Sequence, residues 1–82
     1  MLNTEWKNYH CTAQDIRRAI EEHGRAISLS RLQAMLLPVA RFNQFKYVQW
    51  DHMKDTVEIM VKAGELERVR EPKGFYRYHL ID

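Results

Sequence analysis

The sequence has a single cysteine, Cys11, no long apolar run and a net charge of only +2. One cysteine cannot form an internal disulfide, which excludes cross-links as a source of stability and indicates a reducing compartment. A membrane span needs about 18 consecutive apolar residues, and the chain has no such run. Residues 1–7 also lack the apolar region of a signal peptide. We therefore expect a cytoplasmic protein that does not enter a membrane.

The chain is also short. Its 82 residues leave no room for a second core, a large catalytic cleft or a doubly wound sheet. Hydrophobic residues make up 45% of the chain and the mean hydropathy is −0.57, which is a globular rather than a disordered composition. There is no repeat, low-complexity tract or linker. We expect one small domain that is stabilised by packing alone.

Motifs for catalysis and for metal binding are missing. The sequence contains no glycine-rich phosphate loop, no HExxH motif and no nucleophile elbow. The histidines are scattered, without the paired spacing that zinc requires. His10 stands beside Cys11, but no pocket is expected so near the N-terminus. These absences predict a protein that is not an enzyme and that has no cofactor and no metal site.

The small net charge is unevenly distributed along the chain. Residues 23–50 contain Arg25, Arg31, Arg41 and Lys46 and no acidic residue, whereas the segments on either side carry a slight excess of acid. An unopposed basic segment favours an anionic partner, and a solvated surface is the competing interpretation.

The first predicted helix covers residues 13–23. Thr12 and Asp15 have the spacing of a capping box, in which each side chain bonds the backbone N–H of the other residue. Apolar residues then recur at helical spacing from Ile16, and Gly24 supplies the left-handed residue that ends such a helix.

The second predicted helix is short. Ser28 or Ser30 is its N-cap, and Pro38 marks its end or a kink. Residues 37–49 follow, a basic and aromatic stretch without a clean period, for which we expect an extra helical turn or an ordered loop.

The third predicted helix begins at Asp51 as N-cap and ends near Gly64, with Met53 and Val57 on its apolar face. Two strand-like runs then flank residues 71–74, whose proline and glycine are typical of a tight turn. This pattern predicts a β-hairpin. Its second strand places Tyr76, Tyr78 and Leu80 on one face, which we interpret as the core face.

The order of these elements resembles that of winged helix-turn-helix domains. The match is strongest from Met53 to Leu80, where Ala63-Gly64 ends the third helix and runs directly into a strand at Leu66. The resemblance implies an α+β fold of three helices, a short strand near Ile27 and a C-terminal β-hairpin wing. We place this domain at residues 12–82, after an N-terminal arm at residues 1–11. The stretch at residues 37–49 is longer than the tight turn of the family.

The resemblance further implies a DNA-binding transcriptional regulator. In this family the start of the third helix enters the major groove of double-stranded DNA and the wing contacts the backbone. Because no effector domain accompanies the fold, we expect a phage or other mobile-element protein. The implied DNA-binding residues are Arg31 in the second helix, Arg41, Asn43, Gln44, Lys46 and Gln49 in the following stretch, His52, Lys54 and Asp55 in the third helix, and Arg68, Arg70, Lys73 and Arg77 in the wing.

Three alternatives stay open at this point. Phe42, Phe45, Tyr47 and Val48 could be core residues with solvated neighbours, rather than part of a contact surface. The wing arginines could pair with Glu67 and Glu71 across the strands instead of binding phosphate. The acidic residues of the third helix favour a protein-interaction module, such as an adaptor or an inhibitor, over a DNA-binding protein.

The N-terminal arm carries apolar side chains of its own, at Leu2, Trp6 and Tyr9. Packing against the first helix is one interpretation, and a homodimer contact is the other. A dimer would read two half-sites about one helical turn of DNA apart.

Overall fold

A computed structural model describes residues 7–81. The described residues form a small α+β domain with three helices and a C-terminal antiparallel hairpin. None of the helices in this range is long and apolar enough to cross a membrane. The elements in chain order are β1 (Asn8–Tyr9), α1 (Ala13–His23), α2 (Leu29–Phe42), β2 (Tyr47–Val48), α3 (Trp50–Lys62), β3 (Leu66–Arg70) and β4 (Tyr76–Leu80).

Helix α1 has the predicted bounds because both of its end signals are local. The N–H of Asp15 donates to Thr12 Oγ1 at 3.1 Å, and the N–H of Thr12 donates to Asp15 Oδ2 at 3.0 Å, which completes the capping box. At the other end Gly24 is left-handed, with φ 78°, and its N–H donates to Ile20 O at 3.1 Å.

Helix α2 is longer than predicted and continues through Pro38. Pro38 cannot donate to the carbonyl of Ala34, but both residues are exposed, so this carbonyl lies on the solvent side of the helix. Leu36 and Ala40 are fully buried on the two sides of Pro38, and their packing carries the helix across it. Ser28, not Ser30, is the N-cap, since its Oγ accepts from the N–H of Arg31 at 3.2 Å.

The stretch at residues 37–49 is ordered, as expected, and contains an extra helical turn. After α2 the chain turns at Gln44, whose φ is 68°, and then forms β2. Strand β2 pairs in parallel with β1, in the register Asn8↔Tyr47 and Tyr9↔Val48. The pairing brings part of the predicted arm into the domain, where Cys11 is fully buried. Leu2 and Trp6 lie outside the described residues.

Helix α3 begins two residues earlier than predicted, with Gln49 as N-cap instead of Asp51. The N–H of Gln49 donates to Tyr9 O at 2.9 Å at the end of the β1–β2 pair, and Gln49 Oε1 accepts from the N–H of His52 at 2.9 Å. The helix therefore starts directly after the strand. Glutamine is not a preferred N-cap, which is why the sequence pattern favoured the aspartate.

The hairpin is attached to the helices through Tyr78. Ile27 and Tyr78 exchange two backbone hydrogen bonds of 2.9 Å, and Tyr78 is only 3% exposed. Leu80 packs against the same core, so the predicted inward face is confirmed for these two residues. It is wrong for Tyr76, which is 41% exposed, because this end of β4 lies next to the hairpin turn.

Burial raises the pKa of the Cys11 thiol to about 12, so thiolate is scarce at neutral pH. The residue is a small core side chain that leads into α1, in agreement with the sequence interpretation. It packs within a fully buried set that draws on all three helices: Ile16, Ile27, Leu32, Leu36, Met53, Val57 and Met60.

Replacing Tyr9 with phenylalanine should make the stability less sensitive to alkaline pH. The Tyr9 hydroxyl donates to Asp15 Oδ2 at 2.7 Å, and this bond, followed by burial, raises the pKa of Tyr9 from 10.0 to about 12. Between these values the unfolded chain has lost the phenolic proton while the folded chain retains it. The unfolding free energy of the native protein therefore falls as the pH rises through this window.

Urea titrations at several pH values between about 8 and 12 measure this dependence. We expect the Tyr9→Phe variant to be less stable than the native protein near pH 8, because the bond to Asp15 is lost, but to show a shallower decline above pH 10. Tyr47→Phe is the control, since Tyr47 is 58% exposed. Equal slopes for all three proteins would contradict the role of the Tyr9 hydrogen bond.

Candidate nucleic-acid interface

The beginnings of α2 and α3 meet strand β4 at an open groove of about 510 Å³. Residues at the N-terminal ends of both helices, where the helix dipole is positive, line this region. The groove is lined by Ser28, Leu29, Ser30, Trp50, Phe75, Tyr76, Arg77 and Tyr78.

Three aromatic rings at this groove are partly open to solvent. Trp50 is 36% exposed, Phe75 42% and Tyr76 41%. The indole N–H of Trp50 and the hydroxyl of Tyr76 are hydrogen-bond donors suited to phosphate oxygens. Sequence reasoning missed all three residues. Identifying Gln49 as the N-cap would have placed Trp50 in the first turn of α3.

Besides Arg77, which lines the groove, four cations lie around it. Arg31 follows the lining residue Ser30, Lys54 lies one helical turn after Trp50, Arg70 is opposite Tyr76 in the hairpin register, and Lys73 is in the hairpin turn. All four were predicted to bind DNA, and all four are exposed. Within residues 7–81 none of them has a side-chain partner. We call Arg31, Lys54, Arg70 and Lys73 the groove cations.

Five of the nine acidic residues in the described range are engaged within the fold, and one of them is Asp15, which bonds Tyr9 and Thr12. Glu65 pairs with Arg17, Glu58 with Arg68, Glu71 Oε1 with Arg77 Nε at 3.2 Å, and Glu67 Oε1 with His79 Nε2 at 2.8 Å. In the described part of the chain the acids without a partner are Glu21, Glu22, Asp51 and Asp55. The bases without a partner in the same part are Arg18, Arg25, Arg31, Arg41, Lys46, Lys54, Lys62, Arg70 and Lys73. The charge free to meet a partner is thus more positive than the net charge of the sequence.

The wing arginines divide into two kinds. The alternative in which they form ion pairs is confirmed for Arg77, which pairs with Glu71. Arg68 is also paired, but with Glu58 of α3, and its guanidinium lies 5.1 Å from the centre of the Tyr76 ring. Arg68 therefore joins α3 to the hairpin. Arg70 stays free to bind a ligand.

Several predicted site residues serve the fold itself. Gln49 caps α3, and Asn43 Nδ2 donates to Val39 O at 2.8 Å at the end of α2. The half-buried ring of His52 is stacked on that of His10, with centroids 4.6 Å apart and planes at 14°. Its Nδ1 is buried and has no partner among the described residues.

The remaining predicted residues differ in their distance from the groove. Asp55 is exposed on α3 beside Lys54, so it lies near the groove cations. Gln44 is exposed at the turn after α2. Arg41 and Lys46 line a different groove, of about 400 Å³, together with Phe45 and Tyr47.

The aromatic residues after Pro38 do not form one buried set. Val48 is 6% exposed and Phe45 packs against the core, so the core interpretation is confirmed for these two. It is wrong for Phe42, which is 88% exposed, and for Tyr47, which is 58% exposed. The end of α2 and the start of β2 therefore present apolar surface to solvent.

Residues 7–81 contain no group of three or more His, Cys, Asp and Glu side chains placed to bind a metal ion. No protein-family model matches the chain, and the search of curated proteins finds no relative.

Proposed function

We propose that this chain is a winged-helix domain that binds double-stranded DNA, with α3 in the major groove and the β3–β4 hairpin as the wing. The observation that carries the proposal is the groove itself. The starts of α2 and α3 and the strand β4 open onto it, and the four groove cations, unlike the lining residue Arg77, have no acidic partner among the described residues. A role in transcription regulation, which the resemblance implies, is part of the proposal.

The arrangement supports phosphate contacts from α2 and from the wing. Arg31 would bind phosphate at the start of α2, and Arg70 and Lys73 would do so from the wing. The Glu58–Arg68 ion pair fixes the hairpin against α3. Because of this pair, the helix and the wing would meet the duplex as one surface.

The exposed side of α3 would read base edges. Lys54 can donate to guanine, and the carboxylates of Asp51 and Asp55 can accept from the amino group of cytosine. Ile59, which is 65% exposed, can contact a thymine methyl group. The two carboxylates would repel phosphate, so this side of α3 is better suited to bases than to the backbone.

Fluorescence anisotropy with a labelled random-sequence duplex tests the proposal. Three or four phosphate contacts predict that raising the salt from about 50 to about 200 mM lowers the affinity by about 40- to 150-fold. We expect binding at the lower salt concentration and this steep loss at the higher one. An absence of binding at about 50 mM salt would overturn the proposal.

A further inference from the structure

A second exposed surface runs along α2 and β2. Ala34, Leu37 and Arg41 share one side of α2, and Tyr47 lies beside them. Two adjoining grooves, of about 280 and 400 Å³, meet at Tyr47. With Phe42 and Lys46, these residues define what we call the α2–β2 surface.

The exposed apolar side chains of the α2–β2 surface are not needed for the hydrophobic core. Phe42 is 88% exposed and Tyr47 58%, while the core needs only their neighbours Phe45 and Val48. A charged residue would serve the end of α2 as well as Phe42 does. Tyr47 lines both grooves, and exposed aromatic groups that line grooves are typical of interaction sites.

The charged part of this surface has one sign. Arg41 and Lys46 flank the aromatic residues, and neither has a side-chain partner within residues 7–81. All of the surface lies within residues 23–50, which contain no acidic residue. A molecule that binds here must therefore present apolar groups to the centre of the surface and negative charge to its positively charged edge.

These features favour one class of occupant over two others. A second copy of this chain, docked through the same surface, would bring Arg41 and Lys46 close to their own equivalents, so like charges would repel. DNA would satisfy the cations but would leave the apolar grooves beside Leu37 and Tyr47 unused. A polypeptide with both apolar and acidic side chains satisfies both parts.

We propose that the α2–β2 surface docks an acidic amphipathic segment of a partner protein. Phe42 and Tyr47 would be covered by its apolar residues, and Arg41 and Lys46 would pair with its carboxylates. Arg41 lies ten residues along α2 from Arg31, about 15 Å for a regular helix. The partner segment would therefore centre on the end of α2 and a duplex on its start, with Ser30 lining a groove of each site, and the domain would connect the two.

A displayed library of random peptides tests this proposal with the whole chain as bait. We expect the peptides selected by the native protein to be enriched in Asp and Glu together with Leu, Phe or Trp. They should bind Arg41→Glu/Lys46→Glu at least about tenfold more weakly, because two attractions become repulsions. Tyr47→Ala should weaken them by about thirtyfold, because this ring lies where the two grooves meet. Arg18→Glu/Arg25→Glu, with the same change of net charge, should bind them like the native protein.

Thermal unfolding by circular dichroism establishes that each variant is folded, and the exposure of the replaced side chains predicts no loss of stability. Peptides that lack acidic residues, or that bind Arg41→Glu/Lys46→Glu as well as the native protein, would overturn the proposal. So would a dimer in sedimentation equilibrium that Tyr47→Ala dissociates, since the occupant would then be a second copy. A loss of duplex binding in Arg41→Glu/Lys46→Glu would instead assign these cations to DNA, as the sequence predicts.

Discussion

Replacing Arg31 and Arg70 with glutamate is expected to lower the affinity for duplex DNA by about two hundredfold at about 50 mM salt. Each residue would neutralise one phosphate, and each phosphate contact contributes about 0.9 to the slope of log affinity against log salt. The slope should therefore become shallower by about two. Both side chains are exposed and make no ion pair within residues 7–81, so the reversal leaves no internal acid unpaired.

The control for this prediction is Arg18→Glu/Arg25→Glu, which changes the net charge by the same amount at sites away from the groove. These residues lie on α1 and after Gly24 and do not line the groove. Anisotropy titrations of both variants with one labelled duplex compare them directly. Equal weakening by the two variants would mean that binding follows overall charge, and the proposed interface would be wrong.

The elements that the sequence predicted correctly are those with local signals. Helix α1 is fixed by the Thr12–Asp15 capping box and by Gly24, all within one segment of the chain. The hairpin is equally local, since its turn contains both a proline and a glycine and its strands follow directly. Hydrogen bonds between near neighbours determine these features, and residue types at fixed spacing are enough to predict them.

The elements that the sequence did not predict depend on distant contacts. Strand β1 exists because Asn8 and Tyr9 pair with residues at positions 47 and 48, far along the chain. The same pairing places the N–H of Gln49 against Tyr9 O and so determines where α3 begins. Helix α2 crosses Pro38 because Leu36 and Ala40 are buried on both sides. Each outcome reflects tertiary packing that overrides a local preference.

In the candidate site, too, the sequence gives the residue types, but the tertiary structure decides which of them are free to bind a ligand. Arg68 and Arg70 are the same residue type on the same strand, and nothing in the sequence distinguishes them. Arg68 lies where α3 passes, so it pairs with Glu58, whereas Arg70 lies closer to the turn and makes no ion pair among the described residues, since Glu71 pairs with Arg77. Which cations are free to bind phosphate therefore follows from the packing of the hairpin on α3, and residue type alone does not decide it.

The same distinction between buried and exposed positions predicts the largest effect on stability, at Ile16. Ile16 is fully buried in α1, so Ile16→Ala removes apolar contacts and leaves a cavity, at a cost of about 2–5 kcal/mol in unfolding free energy. A domain of this size loses about 4–8 °C in Tm for each kcal/mol, so a fall of about 8–40 °C is expected. Urea and thermal unfolding followed by circular dichroism measure both quantities.

Ile59 provides the matched control, because it is also a helical isoleucine but is 65% exposed on α3. Ile59→Ala should change the unfolding free energy by no more than about 0.5 kcal/mol.

In DNA binding we expect the reverse order, with Ile59→Ala impaired and Ile16→Ala unaffected, since Ile59 faces the proposed major-groove contact and Ile16 does not. At a temperature where Ile16→Ala is still folded, this variant should keep its duplex affinity, while Ile59→Ala should lose part of its preference among sequences. Similar unfolding free energies for the two variants would contradict the placement of Ile16 in the core, and an unchanged sequence preference for Ile59→Ala would remove this side of α3 from the DNA interface.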